Sequence, residues 1–448
     1  MRNRYLDLLR AAAIVRVIVY HHFGWAWLSI VFPAMGVMFA LAGSLTAASL
    51  TRRPAGSVVT SRLRRLLPPL WLLGVLAVPA MIGLGWAQEE DGAHPFTPWK
   101  LVFWVLPLGD PPGSELGIDV WEPLWYIRAY VWFILLSPLM WFVYKKMGGA
   151  GWLLALAPIA AIAFLDKTGL GLPEDADAVM WDLVTYGACW IVGFTHRDGR
   201  LARLSSGAVL GIVAVLGAAA LYWQSGHQGE DAWDLNDVSE SQSLWSLAFV
   251  LLVLRWQPDM TWLSRIRPLD RFVTLVNARA VTIYLWHNLA IVALWPVLTY
   301  VALDDVGRLE GPVSLAAAFL LTGVAVLLFG WAEDLAARRR PRLWPTSDGP
   351  VPAAEPAEPA GPVPAGWPEV ARDGTPVNPV AVTHGPAAEK ARGHAAEEAH
   401  RHAGEVVPGF MDTADMPVAG RPPGQHRPSR HPDTPEPIRF SNGHDDRT

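Results

Sequence analysis

Charge is scarce in this chain: 17% of its 448 residues are Asp, Glu, Lys or Arg, against about 25% in soluble domains. What charge there is collects in short connections and in the C-terminal quarter, so a soluble globular fold is excluded for most of the chain. Cysteine is nearly absent. The single Cys189 rules out an intramolecular disulfide framework and any cysteine-based metal cluster. Its apolar neighbours suit a small packed side chain. Lysine is also rare, with only Lys100, Lys145, Lys146, Lys167 and Lys390. A cleavable leader is not expected, because the first apolar stretch contains Arg10 and Arg16 and has no small-residue cleavage site. Nothing in the net charge of -5 points to nucleic acid, and no such partner is expected.

Apolar residues, in contrast, make up 52% of the chain and tryptophan occurs 23 times. A span needs roughly 20 mostly apolar residues to cross about 30 Å of hydrocarbon. The runs that qualify are Tyr5–Phe23, Trp27–Leu50, Leu66–Trp86, Leu124–Tyr144 and Gly151–Leu165, then Met180–Phe194, Gly207–Trp223, Ser243–Trp256, Ala280–Tyr300 and Val313–Trp331. The expected fold class is therefore all-α, a polytopic membrane protein of about ten transmembrane helices.

Connections alternate in charge. Basic ones hold Arg2 and Arg4; Arg52, Arg53, Arg62, Arg64 and Arg65; Lys145 and Lys146; Arg197, Arg200 and Arg203; Arg255, Arg265, Arg267 and Arg271; and Arg338, Arg339, Arg340 and Arg342. Acidic ones hold Glu89, Glu90 and Asp91; Glu174, Asp175 and Asp177; Glu230, Asp231, Asp234 and Asp237; and Asp304 and Asp305. Cytoplasmic loops are enriched in Lys and Arg. This predicts a multi-pass protein of the cell membrane with both termini cytoplasmic.

After about Pro345 the sequence turns to Pro, Ala, Gly, Glu and His without apolar periodicity. Such a segment cannot bury enough surface to offset its ordering entropy. Residues 1–345 are read as the transmembrane domain and 346–448 as a disordered cytoplasmic tail.

Ionisable groups inside a bilayer are costly and point to function. The first span carries Asp7, Arg10, Arg16, His21 and His22. Arg10 and His21 are eleven residues apart, which puts them on one helix face and ~16 Å apart along the axis. A permanent cation at the cytoplasmic mouth with a titratable base deeper in one cavity suits an anionic substrate, since the guanidinium fork matches phosphate and histidine accepts a proton near neutral pH. Snorkelling of Arg10 and interfacial capping by His21 fit the spacing equally well.

Three further clusters stand out. Arg62, Arg64 and Arg65 precede Leu67-Pro68-Pro69 and form either a phosphate-binding rim or an anchor to anionic lipid. Trp125 and Arg128 follow Trp121-Glu122-Pro123, where an aromatic belt accounts for the Trp but not for the buried Arg. Tyr284-Leu285-Trp286-His287-Asn288 lies within the ninth run, as a cavity lining or an interhelical hydrogen-bond cluster.

Together these pieces resemble the integral-membrane acyltransferase family 3, the O-acyltransferases of bacterial envelope sugars, over roughly residues 5–345. The most specific element is Arg-x10-His, here Arg10 to His21, with Arg10 closing Leu6-Asp7-Leu8-Leu9-Arg10. Gly36 through Gly43, the Arg-rich stretch ending in Leu67-Pro68-Pro69, and Tyr284-Leu285-Trp286-His287 support it. Trp331-Ala332-Glu333-Asp334 before Arg338-Arg339-Arg340 is similar to the actinobacterial branch. Pro123-Leu124-Trp125-Tyr126-Ile127-Arg128 lacks the glutamate common in the family, and Phe39-Ala40-Leu41-Ala42-Gly43-Ser44 differs from the usual Ser-Gly-Phe.

The resemblance implies an enzyme that moves an acyl group, most often acetyl, from cytoplasmic acyl-CoA to a hydroxyl of a carbohydrate or glycoconjugate, with no cofactor. His21 would be catalytic as general base, with an acyl-histidine intermediate left open. Arg10, Arg62, Arg64, Arg65, Trp125, Arg128, Tyr284 and His287 would bind substrate. A transporter or flippase for an envelope precursor is the alternative use of the same polar residues, although no internal repeat supports it.

Overall fold

A computed structural model describes residues 3–88, 92–228 and 233–342. The chain divides into two units, Met1–Pro356 and Ala357–Thr448, and the second lies wholly outside the described residues. The tail 346–448, and the acidic Glu89, Glu90, Asp91, Glu230 and Asp231, also fall outside them.

Helices occupy all ten predicted runs, and no strand occurs among the described residues. They are α1 (Arg4–Phe23), α2 (Ala34–Leu50), α3 (Ala55–Gly83), α4 (Trp125–Lys146) and α5 (Leu156–Thr168), followed by α6 (Glu174–Arg197), α7 (Ser206–Gly226), α8 (Ser239–Arg255), α9 (Ala280–Val292) and α10 (Glu310–Phe329). Among the described residues seven stretches are long and apolar enough to cross a membrane, and an eighth is a bent pair, α9 with Leu294–Tyr300, meeting at 52°. α8 has 17 residues, and α1 carries Arg4, Asp7, Arg10 and Arg16. That charge load is tolerable because α1 is an interior helix. Leu9, Ala11, Ala13, Ile14, Arg16, Val17 and Ile18 are all buried, and α1 packs against α2, α9 and α10.

Both ends of α1 are tied down. Asn3 caps the start, its side chain accepting from the Tyr5 and Leu6 amides. Gly24 ends the helix in the left-handed region (φ 63°) and returns its N–H to Tyr20 O at 2.7 Å. Arg4 pairs with Asp7 and Asp270, Tyr5 donates to Val253 O at 2.9 Å, and Asn277 donates to Asp7 O at 2.8 Å. At the other end His22 Nε2 lies 2.9 Å from Ser314 Oγ on α10.

The tightest packing joins α2 to α6. A Cβ on Gly43 would sit 2.3 Å from Trp190 O, and one on Gly193 would sit 2.2 Å from Ala40 O. Without a hydrophobic drive between helices in lipid, close backbone approach through small residues supplies the contact. α2 is accordingly buried almost throughout.

The segment Trp331–Ala336 turns back to brace the start of α9. Glu333 accepts from the Thr282 amide, placing a carboxylate at a helix N-terminus. Arg279, 1% exposed, donates to Gly330 O and to Asp334, both at 2.7 Å. This brace holds α9, and with it Tyr284 and His287, against α1.

Candidate functional site

Two cavities lie along α1, and Tyr284 of α9 lines both. Arg10 belongs to the first and His21 to the second. One cavity for both residues is what the helix spacing predicts; each lies in a lining of its own, and Tyr284 is common to the two. Tyr284 stands at their junction: its hydroxyl donates to Pro123 O at 2.5 Å and its ring lies 4.9 Å from that of Tyr126.

The first cavity, about 450 Å³, carries Arg10, Arg52, Arg53, Arg62 and Arg65, with Tyr126, Tyr130 and Asn277. Its described lining contains no carboxylate. Arg62 and Arg65 arrive there because α3 starts at Ala55, eleven residues before the apolar run, so both are helical. At i and i+3 they share a face. Arg64 lies on another face, is exposed, and does not line the cavity. Arg62 donates to Tyr130 at 3.1 Å. Five guanidinium groups around one space repel one another unless a polyanion occupies it.

The second cavity, about 480 Å³, is lined by His21 and Arg16 of α1, by the aromatic side chains of Tyr20, Trp125, Trp181 and Tyr186, and by polar groups including Glu122, Asp182, Asn236 and Gln242. Aromatic faces beside carboxylates and amides give this space both stacking surfaces and directional hydrogen-bonding groups.

His287 lines neither cavity. It is 1% exposed and stands behind His21, with ring centroids 5.0 Å apart. Carbonyl oxygens fix the protons of this pair, because they can only accept. His287 Nδ1 lies 2.6 Å from Tyr284 O and so carries hydrogen, which leaves its Nε2 as an acceptor. His21 Nδ1 lies 2.9 Å from Val17 O and 3.5 Å from His287 Nε2, so it too carries hydrogen and faces two acceptors. The free lone pair of His21 is therefore on Nε2.

Arg128 is 3% exposed and committed elsewhere. Its Nε and Nη2 reach Asp182 at 3.2 and 2.6 Å, and Nη1 pairs with Asp110. It does not line either cavity and instead ties α4 to α6 and to the preceding loop. Of the predicted site residues, then, Arg10, Arg62, Arg65 and Tyr284 meet in one cavity, and His21, Trp125 and Tyr284 in the other. Arg64, Arg128 and His287 join neither lining.

Tyr20, Asp182, Tyr186 and Gln242 carry no signal in the sequence, Tyr126 and Tyr130 read there as belt aromatics beside Trp125, and Arg16, Arg52 and Arg53 are not placed at a site. Only Arg16 carried a usable signal, as a second arginine inside a span.

The sequence profile of the acyltransferase family 3, described as an acyltransferase domain, matches residues 3–332. No significant match was found among curated proteins or solved structures. The match takes in every helix that lines the two cavities, together with the Arg10 and His21 positions. The chain belongs to the membrane acyltransferase family 3.

Proposed function

We propose that the first cavity binds an acyl-CoA from the cytoplasmic side and that the second binds a carbohydrate or glycoconjugate hydroxyl, with transfer at His21. The observation that carries this reading is the division of labour around Tyr284. Five arginines with no carboxylate among them lie on one side, and a histidine with a free Nε2 lone pair lies on the other. A nucleotide thioester bearing several phosphates supplies the anionic charge that the first cavity lacks. The basic end faces the cytoplasm on the positive-inside argument, which matches where acyl-CoA is made.

In the proposed reaction the acceptor oxygen attacks the thioester carbonyl carbon while His21 Nε2 takes the hydroxyl proton. The tetrahedral intermediate collapses with cleavage of the carbon–sulfur bond, and the departing CoA sulfur recovers the proton from His21. During the interval when His21 is charged, its Nδ1–H remains held by Val17 O and His287 Nε2. His287 is thus a positioning residue rather than a substrate ligand.

The test is thioester loss from radiolabelled acetyl-CoA with purified protein in lipid, wild type against His21→Ala. Turnover in wild type that vanishes in the variant, with acetyl-CoA binding retained, supports the assignment. Equal turnover in both would remove His21 from the chemistry. If wild type neither binds nor cleaves acetyl-CoA, the acetyl donor is wrong, and longer acyl-CoAs are tried next.

A further inference from the structure

The reaction as written makes no use of Arg16. This arginine lies on α1 between Arg10 and His21, is 9% exposed, and lines the same cavity as His21. Its Nε donates to Leu28 O at 3.3 Å, and its guanidinium carbon sits 4.5 Å from the centre of the Tyr20 ring. These two contacts fix the plane of the fork. They leave both Nη atoms without a hydrogen-bond partner among the described residues, and neither Nη is among the sealed side-chain atoms. The open end of the fork therefore faces the cavity.

None of the nearby described carboxylates contacts Arg16. Asp182 is forked by Arg128, which also pairs with Asp110. Asp234 accepts from Tyr20 at 2.5 Å and from the Asn236 amide at 2.9 Å. Glu122 is exposed at the rim. Arg16 makes no ion pair among the described residues. Asp234 therefore acts on Arg16 only through space, and a buried cation without a contacting counter-ion is costly, by several kcal/mol per ion in real proteins. That cost is recovered if the counter-ion arrives with the ligand.

We propose that Arg16 is the anion-recognition residue of the acceptor subsite, which takes an acceptor bearing a carboxylate or phosphate and presents its hydroxyl to His21 Nε2. The two Nη atoms form a planar fork suited to bidentate pairing with either group. Arg16 and His21 are five residues apart, about 7.5 Å along the helix axis, so the anionic group and the reacting hydroxyl are held at separate points. The inference rests on reading this cavity as the acceptor site.

The test uses full-length protein in lipid nanodiscs with the first cavity saturated by coenzyme A, which keeps its arginines from binding the probes. Equilibrium affinities are compared for methyl glucoside, methyl glucuronide and methyl glucoside 6-phosphate. Wild type is expected to prefer one charged probe over the neutral one by about tenfold, the scale of a hydrogen bond to a charged group. The preferred probe tells carboxylate from phosphate. Arg16→Gln is expected to erase the preference, and Arg16→Lys to keep part of it.

No charged-probe preference in wild type, or a preference that survives Arg16→Gln, overturns the proposal. So does a variant that slows transfer to neutral and charged acceptors alike, since that would place Arg16 on the reacting carbonyl. If Arg16→Gln does not fold, the wild-type comparison and Arg16→Lys decide. Coenzyme A binding is read in the same samples. Its absence beside an Arg16-dependent preference would sink the donor reading alone.

Discussion

The two cavities along α1 are nearly equal in volume and opposite in electrostatic design. One gathers five arginines with no described carboxylate to balance them. The other holds a single buried arginine, two carboxylates of which Asp182 is paired with Arg128, and a histidine whose tautomer is set by a carbonyl. Uniform positive charge selects a polyanion by Coulombic attraction with little regard for shape. Mixed polar and aromatic walls select by placement of individual groups. The proposed reaction would use this asymmetry, with an electrostatic grip on the donor on one side of Tyr284 and a particular set of contacts to the acceptor on the other.

The strongest way to break the comparison is to remove the base. His21→Ala is expected to lower the transfer rate by about 10²–10⁴-fold, the range for general acid–base groups, while acyl-CoA binding by the first cavity stays intact. Equal loss of binding would mean that the cavities are not separable.

The next effect should be on the basic side. Arg62→Glu with Arg65→Glu is expected to raise the KM for acyl-CoA by more than about tenfold, with a steeper response to salt in wild type than in the variant. Arg10→Lys keeps the charge and loses the fork, so a smaller KM rise at constant kcat is expected. A kcat effect without a KM effect would move Arg10 from donor binding to the reaction itself.

His287→Ala tests whether orientation of His21 matters. Loss of the second acceptor should reduce kcat by about 10-fold or more and shift the pH profile of kcat, with acyl-CoA KM unchanged. His287→Gln, which can still offer an acceptor, should recover part of the rate. An altered KM with an unmoved pH profile would return His287 to substrate binding.

The smallest effect sharpens the boundary of the basic cavity. Arg64→Ala should leave acyl-CoA KM within about twofold, because Arg64 lies exposed on another face of α3. A KM rise comparable with that of the Arg62 and Arg65 changes would mean that the cavity extends around the helix.

Most of the helical architecture was legible in the sequence, and for a direct reason. In a bilayer every spanning segment must satisfy its own backbone, so apolar length alone locates the helices. Arg10 and His21 were legible on the same ground, as costly groups inside a span. Arg16 was visible and undervalued, because its meaning depends on which carboxylates stand near it, and those lie up to 218 positions along the chain at Asp234. Arg128 misled in the opposite direction. It reads as a ligand contact from its depth, yet Asp182 and Asp110 satisfy it.

The sequence by itself determined the all-α membrane fold, the charge alternation and the family, because each rests on local composition or on residues close together in the chain. Tertiary structure alone decided which groups surround Arg10 and which surround His21, since Tyr284, common to both linings, comes from α9 and is anchored to Pro123. It also decided that His287 faces His21. Each of these depends on how one helix is rotated against another, and that rotation is set by packing, through the Gly43 and Gly193 contacts and the Arg279–Asp334 brace.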